Sequence, residues 1–152
     1  MRHLLLLVHI LGFVLWMGGS FAAMSTGVLM QRLARAELGA AMQVQARLMM
    51  GMTLPGAVLV VISGLVLTLR LYGSATSVGG FPTALMVMQG AGLLAAALTL
   101  VVSLPTVTRL TRLDPVGVHA PLFDALRVRM KLMEMLTGAL AVIALVGGVL
   151  MR

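Results

Sequence analysis

The chain has 152 residues, of which 61% are hydrophobic and only 10% are charged. A soluble domain of this size cannot bury so much apolar surface, so the composition excludes one and indicates an integral membrane protein. The absence of cysteine excludes disulfides and thiolate metal sites. The net charge of +7 comes from Lys and Arg near the ends of apolar runs, where they set membrane topology rather than bind nucleic acid.

Four apolar segments divide the chain, and each is long enough to cross a bilayer as a helix. They lie at about 4–30, 52–72, 83–106 and 127–151. The start of the first segment imitates a cleavable signal up to Ala23, but its apolar run continues to Met30, so we expect a retained span. The pattern predicts a single transmembrane domain over residues 1–152, an all-α integral membrane four-helix bundle.

The connections differ in composition. Residues 31–50 contain no proline and favour helix, so we expect the first helix to continue beyond the membrane and to turn near Gly39. Residues 72–82 are rich in Gly and Ser and predict a flexible loop. Pro55 and Pro105 predict kinks in their helices.

Basic residues predict the orientation of the bundle. Connections one and three, with the adjoining start of the fourth segment, carry eight: Arg32, Arg35, Arg47, Arg109, Arg112, Arg127, Arg129 and Lys131. The opposite membrane face has three, which are Arg2, Arg70 and Arg152. The positive-inside rule therefore predicts both termini on the outer side of the membrane, and we expect a bacterial inner membrane.

One imidazole lies inside the first apolar run, in the stretch VHILGFVLWMGG. An ionisable side chain is costly to bury there, which makes His9 a functional candidate. Helical spacing places Gly12, Trp16 and Gly19 on the same face as His9. Two interpretations stay open: ligation of a cofactor or metal, or a histidine hydrogen-bonded within a helix interface whose glycines allow close packing.

Counting inward from the membrane end of each helix gives the residues at the depth of His9. The count reaches Gly64, next to Ser63, in the second segment and Met88 in the third, and in the fourth it reaches Val146, next to Gly147 and Gly148. Small residues on two sides and a thioether on another predict room for a flat macrocycle between the helices.

Haem suits this arrangement, because a neutral imidazole is a standard axial ligand of its iron. We predict haem b bound through His9, with Met88, or Met86 if the helix is rotated, as candidate sixth ligand. His9 and Met88 are the predicted metal ligands. Arg70 and Arg2 are the nearest cations for haem propionates. The full set of predicted cofactor-binding residues is His9, Met88, Arg70, Trp16, Gly12 and Gly64.

Two further features leave alternatives open. The chain has 14 methionines, and soft thioethers bind Cu(I), so copper is the alternative cofactor to haem. The plainer interpretation is that methionine serves as a flexible filler of the core. Glu134 lies inside the fourth segment, where we expect it to pair with Lys131 or Arg127 or to serve as a proton relay.

The first span resembles the opening helix of the CopD-type and HemJ-type group of small four-helix membrane proteins, in its order of His, Trp and Gly-Gly. TLPGAVLVVISGL (Thr53 to Leu65) resembles the second helix of that group, and PTALMVMQGAGLL resembles the third. HemJ-type members are haem-b-containing protoporphyrinogen IX oxidases, and CopD-type members are linked to copper uptake or resistance. The resemblance implies that His9 is the histidine of the first helix. HemJ-type proteins have a lysine in the third helix where this chain reads LMVMQ, so the resemblance carries haem ligation rather than protoporphyrinogen oxidation.

The sequence thus predicts a haem-b membrane protein that transfers electrons or carries out a haem-dependent oxidation of a lipophilic substrate. The alternatives are a CopD-type copper protein and a structural subunit of a larger membrane complex. The sequence leaves open whether the protein is an enzyme; if it is one, we expect a haem-dependent oxidoreductase. The expected partners are the lipid bilayer, a redox partner or quinone, and further copies or a membrane complex, with no nucleic acid.

Overall fold

The computed structural model describes residues 2–73 and 82–150, and within them the regular structure is helical. Six α-helices follow one another: α1 Arg2–Leu29, α2 Leu38–Leu48, α3 Leu54–Tyr72, α4 Thr83–Leu98, α5 Leu104–Leu110 and α6 Ala120–Val149. Two short 3-10 turns precede α2, at Met30–Arg32 and Arg35–Glu37. Residues 74–81 of the predicted loop and the terminal Arg152 lie outside the described residues.

Within the described residues, four continuous helical segments are long and apolar enough to cross a membrane. They are Arg2–Arg32, Arg35–Tyr72, Thr83–Leu110 and Ala120–Val149, with mean hydropathies between 2.0 and 2.2. The prediction of an all-α bundle of four membrane-spanning helices is therefore confirmed. The helices run beyond the predicted apolar segments, because polar and basic turns extend them at the ends near the first and third connections.

The spans alternate in direction, which gives the bundle two distinct sides. The termini side contains the start of α1 and the end of α6, and the basic side contains the first and third connections, residues 33–34 and 111–119. Packing is closest between α1 and α3 and between α4 and α6. These two helix pairs together enclose the bundle interior.

The first connection is much shorter than the sequence predicts. Leu33 and Ala34 have extended backbones, and helix resumes at Arg35, so the expected turn near Gly39 is wrong and Gly39 lies inside α2. The Glu37 side chain accepts a hydrogen bond from the Ala34 N–H at 3.2 Å, which caps the new helix. The burial of Leu38, 4% exposed, explains why this segment returns to the bundle at once.

Pro55 and Pro105 are each preceded by a π-helical turn. Met49–Thr53 joins α2 to α3 ahead of Pro55, and Thr99–Ser103 joins α4 to α5 ahead of Pro105. Proline lacks an N–H and crowds the preceding turn, so a widened turn accommodates it while the helix continues. The extra residue in each π turn changes which side chains face the interior. As a result, Thr53, Thr99 and Ser103 lie inside the bundle.

Two buried clusters form the core. The basic side is filled by a cluster of mainly long apolar side chains: Met30, Leu38, Met42, Met49, Val107, Leu110, Phe123 and Met130. Further toward the termini side, Trp16 packs with the small residues Ala57, Ala95 and Ala96. The buried residues of α1 are Gly12, Trp16, Gly19 and Ala23, which confirms the predicted interior face of the first helix.

Candidate cofactor site

A cavity of about 560 Å³ lies in the termini half of the bundle, between α1, α3, α4 and α6. Ligand pockets that hold drug-sized molecules and cofactors have volumes of about 300–1,000 Å³, so this cavity belongs to that class. Its lining is mostly aliphatic. Exposed side chains such as Leu6, Ile10, Leu65 and Leu145 form part of its edge, so the cavity reaches the surface that faces lipid.

His9 supplies the imidazole of this cavity and is fixed against α3. Its Nδ1 lies 3.1 Å from the carbonyl oxygen of Val60 and 3.1 Å from the Ser63 hydroxyl. The Ser63 hydroxyl donates its own proton to the Leu59 carbonyl at 2.5 Å. A carbonyl oxygen can only accept, so Nδ1 carries the proton and donates it to both oxygens.

This hydrogen bonding determines the chemistry that the ring can perform. With the proton on Nδ1, the other ring nitrogen, Nε2, has a free lone pair. Histidines that bind metals almost always donate the second N–H to a carbonyl or carboxylate, which fixes the tautomer and the ring orientation. His9 therefore has the tautomer and the orienting partner, the Val60 carbonyl, that a metal-binding imidazole requires.

Glycines allow the imidazole to lie against α3. A Cβ atom on Gly64 would lie 3.0 Å from Cε1 of His9, so no larger side chain fits there without moving the ring. Gly12 contacts α3 rather than the cavity, because its Cβ would lie 2.9 Å from the Val60 nitrogen and 3.1 Å from the Gly56 oxygen. Gly64 thus makes room for the ring, and Gly12 brings the two helices close enough for its hydrogen bond.

Met88, on α4, lines the same cavity as His9. Its sulfur is within 3.3 Å of the position that a Cβ on Gly148 would occupy, so glycine in α6 accommodates the thioether. His9, Gly64, Met88 and Gly148, which the residue count predicts at or next to one depth, all line this cavity. Met86 is 54% exposed and lies on the lipid side of α4, so the thioether available to the cavity is that of Met88.

The remaining predicted residues are divided between the cavity and the surface. Trp16, 2% exposed, lines the inner end of the cavity. Arg2 also lines it, on the termini side. Arg70 is exposed and is not among the described lining residues. It follows Gly64 by six residues, which turns it about 120° away from the cavity face of α3.

Two polar residues of the cavity were not identified from the sequence. The Gln89 side-chain amide donates a hydrogen bond to the Thr68 hydroxyl, which in turn donates to the Gly64 carbonyl at 2.9 Å. This chain joins α4 to α3 in the cavity wall and adds polar groups to an aliphatic surface. The available signal was the presence of a glutamine and a threonine inside apolar spans, where polar groups are expensive.

The donor set limits which metals this cavity suits. The described residues contain no group of three or more His, Cys, Asp or Glu side chains close enough to hold a metal ion. A bare divalent ion therefore lacks the ligands it needs. An iron that arrives with four ring nitrogens of its own needs only axial ligands, and the cavity has an imidazole on one wall and a thioether on another.

A second cavity, of about 350 Å³, lies on the basic side and is bordered by Glu134. The predicted pairing of Glu134 with Lys131 or Arg127 is wrong: Glu134 Oε1 instead accepts a hydrogen bond from the Gln45 amide at 2.7 Å. Among the residues that the structure describes, the ion pair present joins Arg35 and Asp124 at 2.8 Å. Glu134 is therefore a membrane-embedded carboxyl group whose neighbour in α2 is an amide.

Comparison of the chain with protein-family models, with curated proteins and with solved structures finds no match.

Proposed function

We propose that this protein binds one b-type haem in the 560 Å³ cavity through Nε2 of His9. The observation that carries the proposal is the hydrogen bond from His9 Nδ1 to the Val60 carbonyl at the wall of that cavity. It leaves Nε2 as the ligand atom and holds the ring in place, as the second hydrogen bond of a metal-binding histidine does. The resemblance of the first two spans to CopD-type and HemJ-type proteins points the same way.

The neighbouring residues have complementary parts in this proposal. Met88 is the candidate sixth ligand, Arg2 is the cation available to a propionate, and Trp16 closes the inner end of the cavity. Gly64 makes room for the His9 imidazole against α3. The bound haem supplies a one-electron redox centre, and histidine with methionine raises its potential relative to two histidines.

The activity that we propose is electron transfer, or oxidation of a lipophilic substrate at the haem. The aliphatic lining excludes water from the iron, and the opening toward lipid gives quinones and other apolar molecules access. We further propose that the termini side is the outer side of a bacterial inner membrane, because the basic residues cluster at the other side. A redox protein or quinone is the partner that this function needs, and further copies or a membrane complex are compatible with the exposed apolar surface.

An absorption spectrum of the detergent-purified full chain, expressed with haem available, tests the proposal. We expect a Soret band with sharp bands after reduction, and one haem per chain. His9→Ala abolishes both, whereas His3→Ala serves as the matched control and keeps them. A protein that stays colourless, or a His9→Ala variant with the full haem content, contradicts the proposal.

The sixth ligand has its own test. Met88→Leu keeps the volume and apolarity of the side chain but removes the sulfur. We expect the reduced spectrum of this variant to become that of a five-coordinate haem iron. Met86→Leu, on the lipid side of the same helix, should leave the spectrum unchanged. An unchanged Met88→Leu spectrum excludes Met88 as a ligand and leaves His9 as the proposed axial residue.

A second candidate function is the handling of Cu(I), and the basic-side cavity favours it. Five methionines line that cavity: Met24, Met30, Met42, Met130 and Met135. Thioethers are soft ligands that select Cu(I). Competition with a chromophoric Cu(I) chelator measures this binding, and Met42→Leu with Met130→Leu is expected to weaken it. A colourless protein without Cu(I) affinity leaves the structural-subunit hypothesis.

A further inference from the structure

A third, much smaller cavity lies at the centre of the bundle, at the level of the two π-helical turns. Its volume is about 20 Å³, which accommodates one particle of the size of a water molecule. Six polar side chains from α1, both π turns and α6 contribute to its wall: Ser20, Thr53, Thr99, Ser103, Glu134 and Thr137. So many oxygen-bearing side chains around one small space in a membrane bundle require a physical explanation.

The hydrogen bonds of these hydroxyl groups show what the cavity offers to a ligand. Ser20 donates its proton to the Trp16 carbonyl and Thr99 donates to the Ala95 carbonyl, each at 2.9 Å. Because these protons are used inside their own helices, the two oxygens have only lone pairs left for the cavity. The cavity is therefore rich in acceptors, which suits a positively charged ligand.

Two further hydroxyl groups are buried without a partner among the described residues. Thr53 is 3% exposed and Thr137 is 6% exposed, and Oγ1 of each lacks a hydrogen bond. In most helical threonines of this chain the hydroxyl bonds the carbonyl four residues earlier, as Thr26 does at 2.8 Å. An unsatisfied hydroxyl in an apolar medium is costly, so the site is incomplete without a ligand that both oxygens can contact.

The carboxyl group of Glu134 also favours a positively charged ligand. Glu134 supplies the carboxyl group of the cavity, and its Oε1 already accepts from Gln45. Lys131 and Arg127 border the larger basic-side cavity together with Glu134, yet neither forms an ion pair with it in the described part of the chain. An unpaired carboxylate inside a membrane is unfavourable, and a cation in the adjoining cavity would balance it.

We propose that the central cavity is a binding site for one sodium ion. Hydroxyl and carboxylate oxygens are the ligands of hard cations. The presence of one carboxylate favours a monovalent ion, because a dedicated site for Ca²⁺ or Mg²⁺ generally uses more. The small volume favours Na⁺ over K⁺. Glu134, Thr53 and Thr137 are the direct ligands, and the site is independent of any haem near His9.

The shared lining residue Glu134 indicates how an ion would reach this site. Glu134 borders both the central cavity and the 350 Å³ cavity of the basic side, so a cation that enters from the basic side meets the carboxylate first. Toward the termini side, the buried Trp16 lines the 560 Å³ cavity, and among the described residues that cavity shares no lining residue with the central one. Entry from the basic side is therefore the route that the shared residue Glu134 favours.

Thermal unfolding of the detergent-purified full chain tests the proposal, in NaCl, KCl and choline chloride of equal ionic strength. A ligand that binds only the folded state raises the Tm progressively with its concentration. We expect the Tm to rise with the logarithm of the Na⁺ concentration and to stay level in the other two salts. Equilibrium dialysis with radioactive Na⁺ should find one ion per chain.

Three variants connect the effect to the site. Glu134→Gln and Thr137→Val are expected to lower the affinity for Na⁺ at least tenfold and to abolish the Na⁺-dependent shift. Thr26→Val is the matched control, because its hydroxyl is bonded within α1, and it should keep the shift. Each variant is compared with itself in the three salts, so a general loss of stability does not affect the result.

The proposal is overturned if the wild-type chain unfolds at the same temperature in all three salts and retains no radioactive Na⁺. In that case a water molecule, which this volume also accommodates, is the expected occupant of the cavity. It is also overturned if Glu134→Gln and Thr137→Val keep the full Na⁺-dependent shift, since the ion would then bind elsewhere.

Discussion

Replacing Gly64 by alanine tests whether the histidine is held for ligation. The added Cβ would lie 3.0 Å from His9 Cε1 and 3.4 Å from Nδ1. Carbon atoms in favourable contact are about 3.5–4.0 Å apart, so the ring must move by roughly 0.5–1 Å. Such a shift stretches the 3.1 Å hydrogen bond from Nδ1 to the Val60 carbonyl toward or beyond the limit of useful hydrogen-bond geometry.

The magnitude follows from that hydrogen bond. An intramolecular hydrogen bond contributes about 0.5–1.5 kcal/mol, which corresponds to about a 2- to 13-fold change in an equilibrium constant. We therefore expect Gly64→Ala to weaken haem binding by about that factor, because the ring is no longer fixed in the orientation that presents Nε2. The substitution also removes space beside the imidazole ring, so we expect the loss of haem affinity to lie toward the upper end of that range.

Titration of the apoprotein with haem, followed by the Soret band, measures this change. Gly90→Ala is the matched control, because a Cβ at Gly90 in α4 has nothing within 4 Å and brings the same gain in helix propensity. An unchanged affinity and spectrum in a folded Gly64→Ala variant would refute the argument that the imidazole is positioned by its contact with α3.

Three further outcomes are expected. Gly56→Ala should lower the stability of the bundle by about 1–3 kcal/mol in thermal unfolding, because the new methyl overlaps the backbone of Trp16. Gly51→Ala, whose Cβ has free space, should keep the stability, so equal Tm values for the two variants would contradict this packing. Asp124→Asn should change stability by less than about 1 kcal/mol, since its ion pair with Arg35 is exposed, and a larger loss that persists in high salt would be inconsistent with screening. A reporter enzyme fused to the C-terminus should be active only on the outer side of the membrane, and cytoplasmic activity would reverse the topology.

The sequence was sufficient to predict the helices and the interior face of the first one. Apolar runs of this length form transmembrane helices in most contexts, because the bilayer leaves the backbone few other ways to satisfy its hydrogen bonds. The spacing of Gly12, Trp16 and Gly19 repeats the helical period, and these residues are buried as predicted. Gly64 and Met88 could be associated with the cavity of His9 because the rise of a helix is constant, and both line that cavity.

Other features depend on contacts that no local pattern encodes. The turn occurs at Leu33 rather than near Gly39 because the burial of Leu38 against distant residues decides where α2 begins. Glu134 bonds to Gln45, which is 89 positions earlier, and a basic neighbour on its own helix was the more obvious partner in the sequence. Arg70 is exposed and is not among the described cavity-lining residues of α3, which include Gly64 and Thr68.

The central cavity was also beyond sequence analysis. Its hydroxyl groups come from four separate segments, and two of those segments are π-helical turns whose altered register cannot be read from a 3.6-residue period. Proline at 55 and at 105 signals a disturbance of the helix but not its form. The relation between Thr53 and Thr137 becomes visible only when the helices are packed.

The central claim is that Nε2 of His9 ligates haem iron, and exchanging this ligand tests it most directly. His9→Gly removes the imidazole, and its haem content and spectrum are measured with and without free imidazole in the buffer. We expect the variant to lose haem and to recover the wild-type spectrum when imidazole occupies the vacated space. A His9→Gly variant that binds haem normally without imidazole would contradict the account.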